Sequence, residues 1–230
     1  LGVGSGTQIE YVQVDNGLDD GIEWFGGSVN VRHTVCSNMT DDCYDMAQGY
    51  TGKGQFMLAY QGTPASFTSD PHGIELDNTA TSSTTPPITQ PQFSNMTLVG
   101  SAAGADGEGI RLRRGGGGNF ANLVVTGYED FCLNLNDAET FSLASGTAQG
   151  ERLSIDHSFM GGCVGGTFED SGSEPYAVSA FYAAGAGNGS GDPLLHGFLP
   201  TASSPALSRG GRAGAGLPVP APPPGPLPRP

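Results

Sequence analysis

Short segments in which apolar and polar residues strictly alternate recur along this chain. Five of them superimpose: Gly21-Ile22-Glu23-Trp24, Cys43-Tyr44-Asp45-Met46, Gly73-Ile74-Glu75-Leu76, Gly109-Ile110-Arg111-Leu112 and Cys132-Leu133-Asn134-Leu135. Each reads small, apolar, polar, apolar, which is the period of a strand with one buried face. The alignment predicts two inward columns, Ile22, Tyr44, Ile74, Ile110, Leu133 and Trp24, Met46, Leu76, Leu112, Leu135. It predicts one outward column, Glu23, Asp45, Glu75, Arg111, Asn134.

A second strand precedes each of these. Its pattern is Ile9-x-Tyr11-Val12-x-Val14, Val31-x-His33-Thr34-x-Cys36, Phe93-x-Asn95-Met96-x-Leu98 and Phe120-x-Asn122-Leu123-x-Val125, with a degenerate copy at Lys53-x-Gln55-Phe56-x-Leu58. From Val12 to Thr34 to Phe56 the step is 22 residues, and the later steps lengthen to 40 and 27. A coil of roughly 20 to 25 residues with two or three short strands cannot bury its apolar face alone, but a stack of such coils can. The fold class is therefore all-β: a right-handed parallel β-helix of about five to six coils. Stacking predicts a polar ladder of Tyr11, His33, Gln55, Asn95 and Asn122, with Asn95 at least partly buried.

Insertions fall at Thr79–Pro91, rich in Ser, Thr and Pro, and at Ser101–Asp106. A sixth, irregular coil is expected from Ser142 to Cys163, with Leu153 and Ile155 inward. The boundaries read as a β-helix over 1–165, an irregular Gly/Ala/Ser-rich segment over 166–212 and a disordered Pro-rich tail over 213–230.

Composition sharpens the picture. The 38 glycines and 17 prolines fit many tight turns and one disordered end. Nine basic against 23 acidic residues leave a formal charge of −14, which repels nucleic acid and anionic membranes and favours cations or basic partners. No apolar run approaches the roughly 18 residues of a membrane span. The sequence opens at Leu1 with no signal peptide, as expected of a processed or truncated product. Four cysteines and the sequons at Asn38, Asn95 and Asn188 lean towards secretion, extracellular or at the cell surface. Glycosylation is expected at Asn38 and Asn188. Spacing predicts the disulfides Cys36–Cys43 and Cys132–Cys163, each contributing about 2–4 kcal/mol in the chain-entropy account.

The runs Gly4 to Val14 and Asp20 to Asn30, with Gly49–Phe56, Gly73–Asn78, Leu112–Phe120 and Leu123–Gly127, carry a family resemblance. The stacked coils resemble the pectate-lyase-like superfamily of right-handed β-helices. More closely, Gly4 to about Asp137 is similar to a group of uncharacterised secreted or cell-surface β-helix proteins, best known from bacteria. That group implies the fold but supplies no activity.

Three chemistries compete. Asp20, Asp41-Asp42, His72-Gly73 and Arg111-x-Arg113 fall in the order and at the spacing of the polygalacturonases, inverting glycosidases that place an acid and a water-activating carboxylate on opposite sides of the bond. Here Asp-Pro precedes His72 where that family has glycine, and Arg113 stands where it has lysine. Asp20, Asp42 and Asp70 also fill turns, where Asp is favoured structurally. The second chemistry is cation binding, with Ca²⁺ held by Asp19, Asp20, Asp41 and Asp42 as they stack, and Glu23 above Asp45. No calcium-binding nonapeptide repeat or EF-hand loop is present. The third is a structural or adhesive role: a subunit of a surface filament or matrix that binds glycans. Its partners would be other copies or surface proteins, meeting it at the exposed ends of the stack, where Gln8–Val14 begins the first strand with nothing amphipathic before it. We take this third role as the leading expectation and the hydrolase as the alternative. His157 and His196 lack partners at metal spacing, and Gly115–Gly118 reads as a turn.

Overall fold

A computed structural model describes residues 1–62, 71–81, 83–101, 107–144, 150 and 152–210. The strands alternate long and short. They run β1 (Gln8–Asp15), β2 (Ile22–Phe25), β3 (Asn30–Ser37), β4 (Tyr44–Ala47), β5 (Lys53–Tyr60), β6 (Ile74–Leu76), β7 (Gln92–Val99), β8 (Ile110–Leu112), β9 (Gly118–Thr126) and β10 (Phe131–Leu135). After the helical turn α1 (Ala138–Phe141) come β11 (Leu153–Asp156), β12 (Phe159–Met160), β13 (Gly166–Phe168), helix α2 (Val178–Ala184), β14 (Gly189–Ser190) and the small hairpin β15 (Leu195–His196) and β16 (Leu199–Pro200).

The long strands form one parallel sheet in the order β1-β3-β5-β7-β9-β12-β14, with β11 also on β9. The short strands form the other, ordered β13-β10-β8-β6-β4-β2. Each successive coil adds one strand to each sheet, so the chain winds into a right-handed parallel β-helix. Strands β13 and β14 carry the stack on to Ser190. The Pro-rich segment 213–230 lies outside the described residues.

The predicted columns of the short sheet are the observed ones. Ile22, Tyr44, Ile74, Ile110 and Leu133 stand in register, as do Trp24, Met46, Leu76, Leu112 and Leu135, and every one of these is buried. Leu153 and Ile155 also point inward. The disulfides Cys36–Cys43 and Cys132–Cys163 both form, each tying the long-strand side of a coil to its short-strand side or to the coil above.

The polar ladder needs correction. The pairing runs Arg32 on Gln55 and Thr34 on Met57, so Phe56, not Gln55, joins Tyr11, His33, Asn95 and Asn122. Gly54 hid the register by standing in an inward column that holds Val31 and Phe93 elsewhere. A Cβ on Gly54 would sit 2.6 Å from Met57 Sδ and 2.7 Å from Phe93 Cδ1, so neighbouring side chains fill its place. All five residues of the column adopt left-handed backbone angles, φ 53–59°, and mark a bend in each long strand. Tyr11, His33 and Phe56 stack with centroids 4.8 and 5.0 Å apart and planes within 11°. Asn122 Nδ2 donates to Asn95 Oδ1 at 3.0 Å.

Left-handed angles cost a non-glycine residue roughly 1–2 kcal/mol, and asparagine less. Ring stacking returns roughly 0.5–1.5 kcal/mol per pair, and the two pairs offset about half of the cost of the three left-handed aromatic residues. Phe56→Asn should therefore unfold within about 1 kcal/mol of the parent, because an amide tolerates the bend. Phe56→Val should lose about 1–3 kcal/mol, because a β-branched residue does not. Urea unfolding followed by circular dichroism checks the pair, and equal costs would contradict this account of the bend.

Candidate functional site

Two residues before β2, β4, β6 and β8 begin, the chain places Asp20, Asp42, His72 and Glu108 in a column. Their side chains make a continuous ladder with backbone N–H groups of the next coil. Asp20 Oδ1 accepts from the Asp42 amide at 3.1 Å, Asp42 Oδ1 from the His72 amide at 2.6 Å, and His72 Nδ1 from the Glu108 amide at 3.0 Å. The turns leave these N–H groups without a strand partner, and acceptor side chains at this position satisfy them. The third turn position, held by His72, is the cognate of Asp20 and Asp42. Asp70, the residue expected there, lies outside the described residues.

A neutral imidazole has one N–H, and the Glu108 amide needs Nδ1 as its acceptor. This assigns the His72 proton to Nε2, which faces Glu75 Oε1 at 3.4 Å. Arg111 Nη1 lies 3.1 Å from the same nitrogen, and its Nε lies 3.3 Å from Asn136 Oδ1. His72 is fully buried and Asp42 is 4% exposed. The polygalacturonase-like residues Asp20, Asp41, Asp42, His72 and Arg111 are thus brought into one row, but two of the five, Asp42 and His72, are sealed in and engaged with the fold.

Around them the outward face of the short sheet is a row of charges. Glu23, Asp45, Glu75, Arg111 and Asn134 stand in register as predicted, yet Glu75 and Asn134 are buried under flanking side chains. Arg113 bonds Glu75 and Asp77, and Arg114 Nη1 reaches Asp77 Oδ2 at 2.6 Å. Glu108 Oε1 accepts from Asn134 Nδ2 at 2.5 Å. Glu75, Asp77, Glu108 and Asn134 went unremarked as site residues in the sequence. Glu108 had a usable signal, since it precedes Gly109 as Asp20 precedes Gly21.

The arginines serve the middle of the row, and carboxylates crowd its first two coils. Oxygens of Asp19, Asp20 and Asp41 lie within 4.8 Å of one another, as do those of Asp20, Glu23 and Asp45. Burial pushes the Asp20 carboxyl up to about 7, with Asp41 adding repulsion. Burial likewise pushes Asp45 up to about 9, reinforced by Asp20, Glu75 and Glu23. Asp42 is held well above the usual carboxylate range, chiefly by burial and then by repulsion from Glu75, Asp20 and Asp41. Asp45 Oδ1 is buried with no hydrogen-bond partner. Among the expected cation ligands, Asp19, Asp20 and Asp41 come together, whereas Asp42 turns inward to His72. Glu23 and Asp45 complete the group.

The model of the pectate-lyase-like β-helix domain matches residues 1–193. The chain belongs to this family. No curated protein and no solved structure matches it. In this pectate-lyase-like domain, the remaining sequence candidates have structural settings. Trp24 is fully buried against Tyr50, Tyr44 and Phe93, while Phe25 faces outward. Gly116 and Gly117 admit Leu76 and the Arg152 carbonyl at distances no Cβ would allow. No helix among the described residues is long and apolar enough to cross a membrane.

Two predictions concern the site. Carboxyls whose folded pKa is raised keep a proton that the unfolded chain has lost, so their burial destabilises the fold as pH rises. Without added metal, the melting temperature should fall from about pH 4, the ordinary carboxylate value, to about pH 9, where Asp45 ionises. Asp20→Asn and Asp45→Asn should each flatten that slope, read by circular dichroism in EDTA. The second concerns Asn188, whose Nδ2 donates to both the Ile155 and Tyr182 carbonyls at 2.7 Å while its Oδ1 accepts from the Ser158 amide. A glycan would displace one of those donors, so intact-mass analysis of protein secreted from a glycosylating host should find Asn188 unmodified.

Proposed function

We propose that this domain is an extracellular structural and adhesive β-helix that holds a divalent cation of the Ca²⁺ type with Asp19, Asp20, Asp41, Glu23 and Asp45, and through it binds acidic polysaccharide. The observation carrying this reading is the pair of carboxylate trios, each with oxygens within 4.8 Å, sharing Asp20. Two unit charges that close repel by about 3–4 kcal/mol at an effective dielectric of 20. Protons relieve the repulsion at low pH, and a hard cation seeking six to eight oxygens relieves it at neutral pH. A cation on an outward face keeps coordination positions open, and sugar carboxylates supply oxygens of the same kind. The extracellular setting rests on the two disulfides, which persist in oxidising compartments.

A second reading, inverting hydrolysis of acidic polysaccharide, draws on the convergence of Asp20, Asp42 and His72. It asks Asp42 and His72 to give up the hydrogen bonds they accept from backbone amides of the next coil. One set of assays separates the two. Calorimetry should detect Ca²⁺ binding that is lost in Asp20→Asn and in Glu23→Gln. Polygalacturonate should co-sediment with the protein in Ca²⁺ and not in EDTA, with no new reducing ends, and Asp42→Asn should change stability alone. Reducing ends that appear with the parent chain and vanish with Asp42→Asn would establish the hydrolase instead.

A further inference from the structure

The dipeptide Asn-Gly occurs at Asn16-Gly17 and at Asn188-Gly189. In this dipeptide the glycine nitrogen can close on the asparagine side-chain carbonyl, because no Cβ hinders the approach and the glycine backbone turns readily. The reaction needs a glycine amide without a hydrogen-bond partner and an asparagine side chain that can swing. The two sites differ on both counts.

At Asn188 both groups are held. The Gly189 amide donates to the Ser158 carbonyl at 2.9 Å, and the Asn188 side chain is tied to Ile155, Tyr182 and Ser158. Asn16 follows β1 at an exposed corner, in the left-handed region at φ 57°. Among the described residues its side chain makes a single hydrogen bond, from Nδ2 to Asp15 Oδ2 at 2.6 Å. The Gly17 amide makes none among them.

The second coil explains the difference. Asp15 pairs with Ser37 and Ser37 with Tyr60, so Asn16 and Gly17 correspond to Asn38 and Met39 one coil on. At this corner the following coil supplies the acceptors. The Ser37 carbonyl meets the Asn16 amide at 3.0 Å, the Tyr60 carbonyl meets the Asn38 amide at 2.9 Å, and Gln61 Oε1 meets the Met39 amide at 3.1 Å. Where Met39 finds Gln61, Gly17 finds Asn38. That side chain turns its nitrogen to Asp15 Oδ1 at 3.1 Å and its oxygen to Gly62.

We propose that Asn16-Gly17 is a self-modifying site whose co-reactant is water. The Gly17 nitrogen gives its proton to solvent and bonds to Asn16 Cγ. The Cγ–Nδ2 bond breaks, and Nδ2 takes a proton and leaves as ammonia. Water then opens the resulting succinimide. Breaking the new bond to Cγ yields aspartate, and breaking the bond to the Asn16 backbone carbonyl yields isoaspartate. No oxidant or reductant is involved. Either product adds a carboxylate beside Asp15 to a chain that already carries −14. Isoaspartate also inserts one backbone atom between two bonds that join the first coil to the second, Asn16 N–H to the Ser37 carbonyl and Thr40 N–H to the Gly17 carbonyl.

The inference is independent of the cation reading. The full chain, produced without glycosylation and kept folded in EDTA, is sampled over time and its peptides are mapped by mass spectrometry. The peptide holding Asn16 should gain one dalton, divided between aspartate and isoaspartate, and faster as pH rises because the attacking nitrogen must lose a proton. Those holding Asn38 and Asn188 should keep their mass. In urea with the disulfides reduced, Asn188 should convert at a rate like that of Asn16. Asn16→Gln, which would have to close a larger ring, should abolish the signal at this position. An Asn16 that keeps its mass in the folded chain overturns the proposal. So does equal conversion of Asn16 and Asn188 while folded, which would make the reaction a property of the dipeptide alone.

Discussion

The hydrogen bonds that join one coil to the next hold every residue above its cognate at the strand spacing, about 4.8 Å. No side chain can drift sideways to avoid the residue above or below it. Inside the helix this is an advantage, since Ile74 stands on Ile110 and Leu76 on Leu112, all four fully buried. On the outward face of the short sheet the same constraint is costly, because a residue type repeated from coil to coil meets itself. Glu23, Asp45 and Glu75 are three acids in succession, and the fold must answer for each of them.

It answers in three ways along the row. Glu75 receives Arg113, from the following coil. Asp20 and Asp42 turn one oxygen each to a backbone amide, which converts a charge into a structural acceptor. Asp45 and Glu23 have neither. Burial shifts both upward, helped at Asp45 by repulsion from Asp20 and Glu75 and at Glu23 by Asp19 and Asp41, against the lowering effect of a hydrogen bond between Glu23 and Asp45. The chemistry of the site is therefore concentrated where the structural answers stop, in the first two coils. The acids further along the row are occupied in holding the solenoid together. A histidine in such a ladder looks catalytic in sequence, yet His72 uses its Nδ1 for the same service that Asp20 and Asp42 perform with an oxygen.

Much of this was legible in the sequence because both sheets repeat. The inward columns of the short sheet, the outward charges and both disulfides follow from alternation and spacing. The misreading of Gln55 for Phe56 arose where Gly54 removed the apolar marker and a single added residue shifted the register. A side chain supplied by the next coil is invisible to a pattern read one coil at a time. Glu108 and Asn134 escaped notice for another reason: their importance lies in whom they touch across coils, not in their own spacing. The grouping of Asp19, Asp20 and Asp41 was expected from stacking, but the inward turn of Asp42 depends on the His72 amide, which no spacing rule reveals.

The bend column has a consequence for how such a solenoid can change its length. A coil added or removed as a unit must bring with it one residue content to adopt a left-handed backbone at the corner. Aromatic rings stack onto rings there, and Asn122 bonds Asn95, so the two kinds of corner form separate blocks within one column. A duplicated aromatic coil would fit among the first three coils and a duplicated amide coil among the next two, whereas a copy moved across the boundary would leave both kinds of neighbour mismatched. The corner after Asn122 returns to a ring, His157 at φ 51°, so the column reads ring, amide, ring, and the corner residue works as a punctuation mark between blocks.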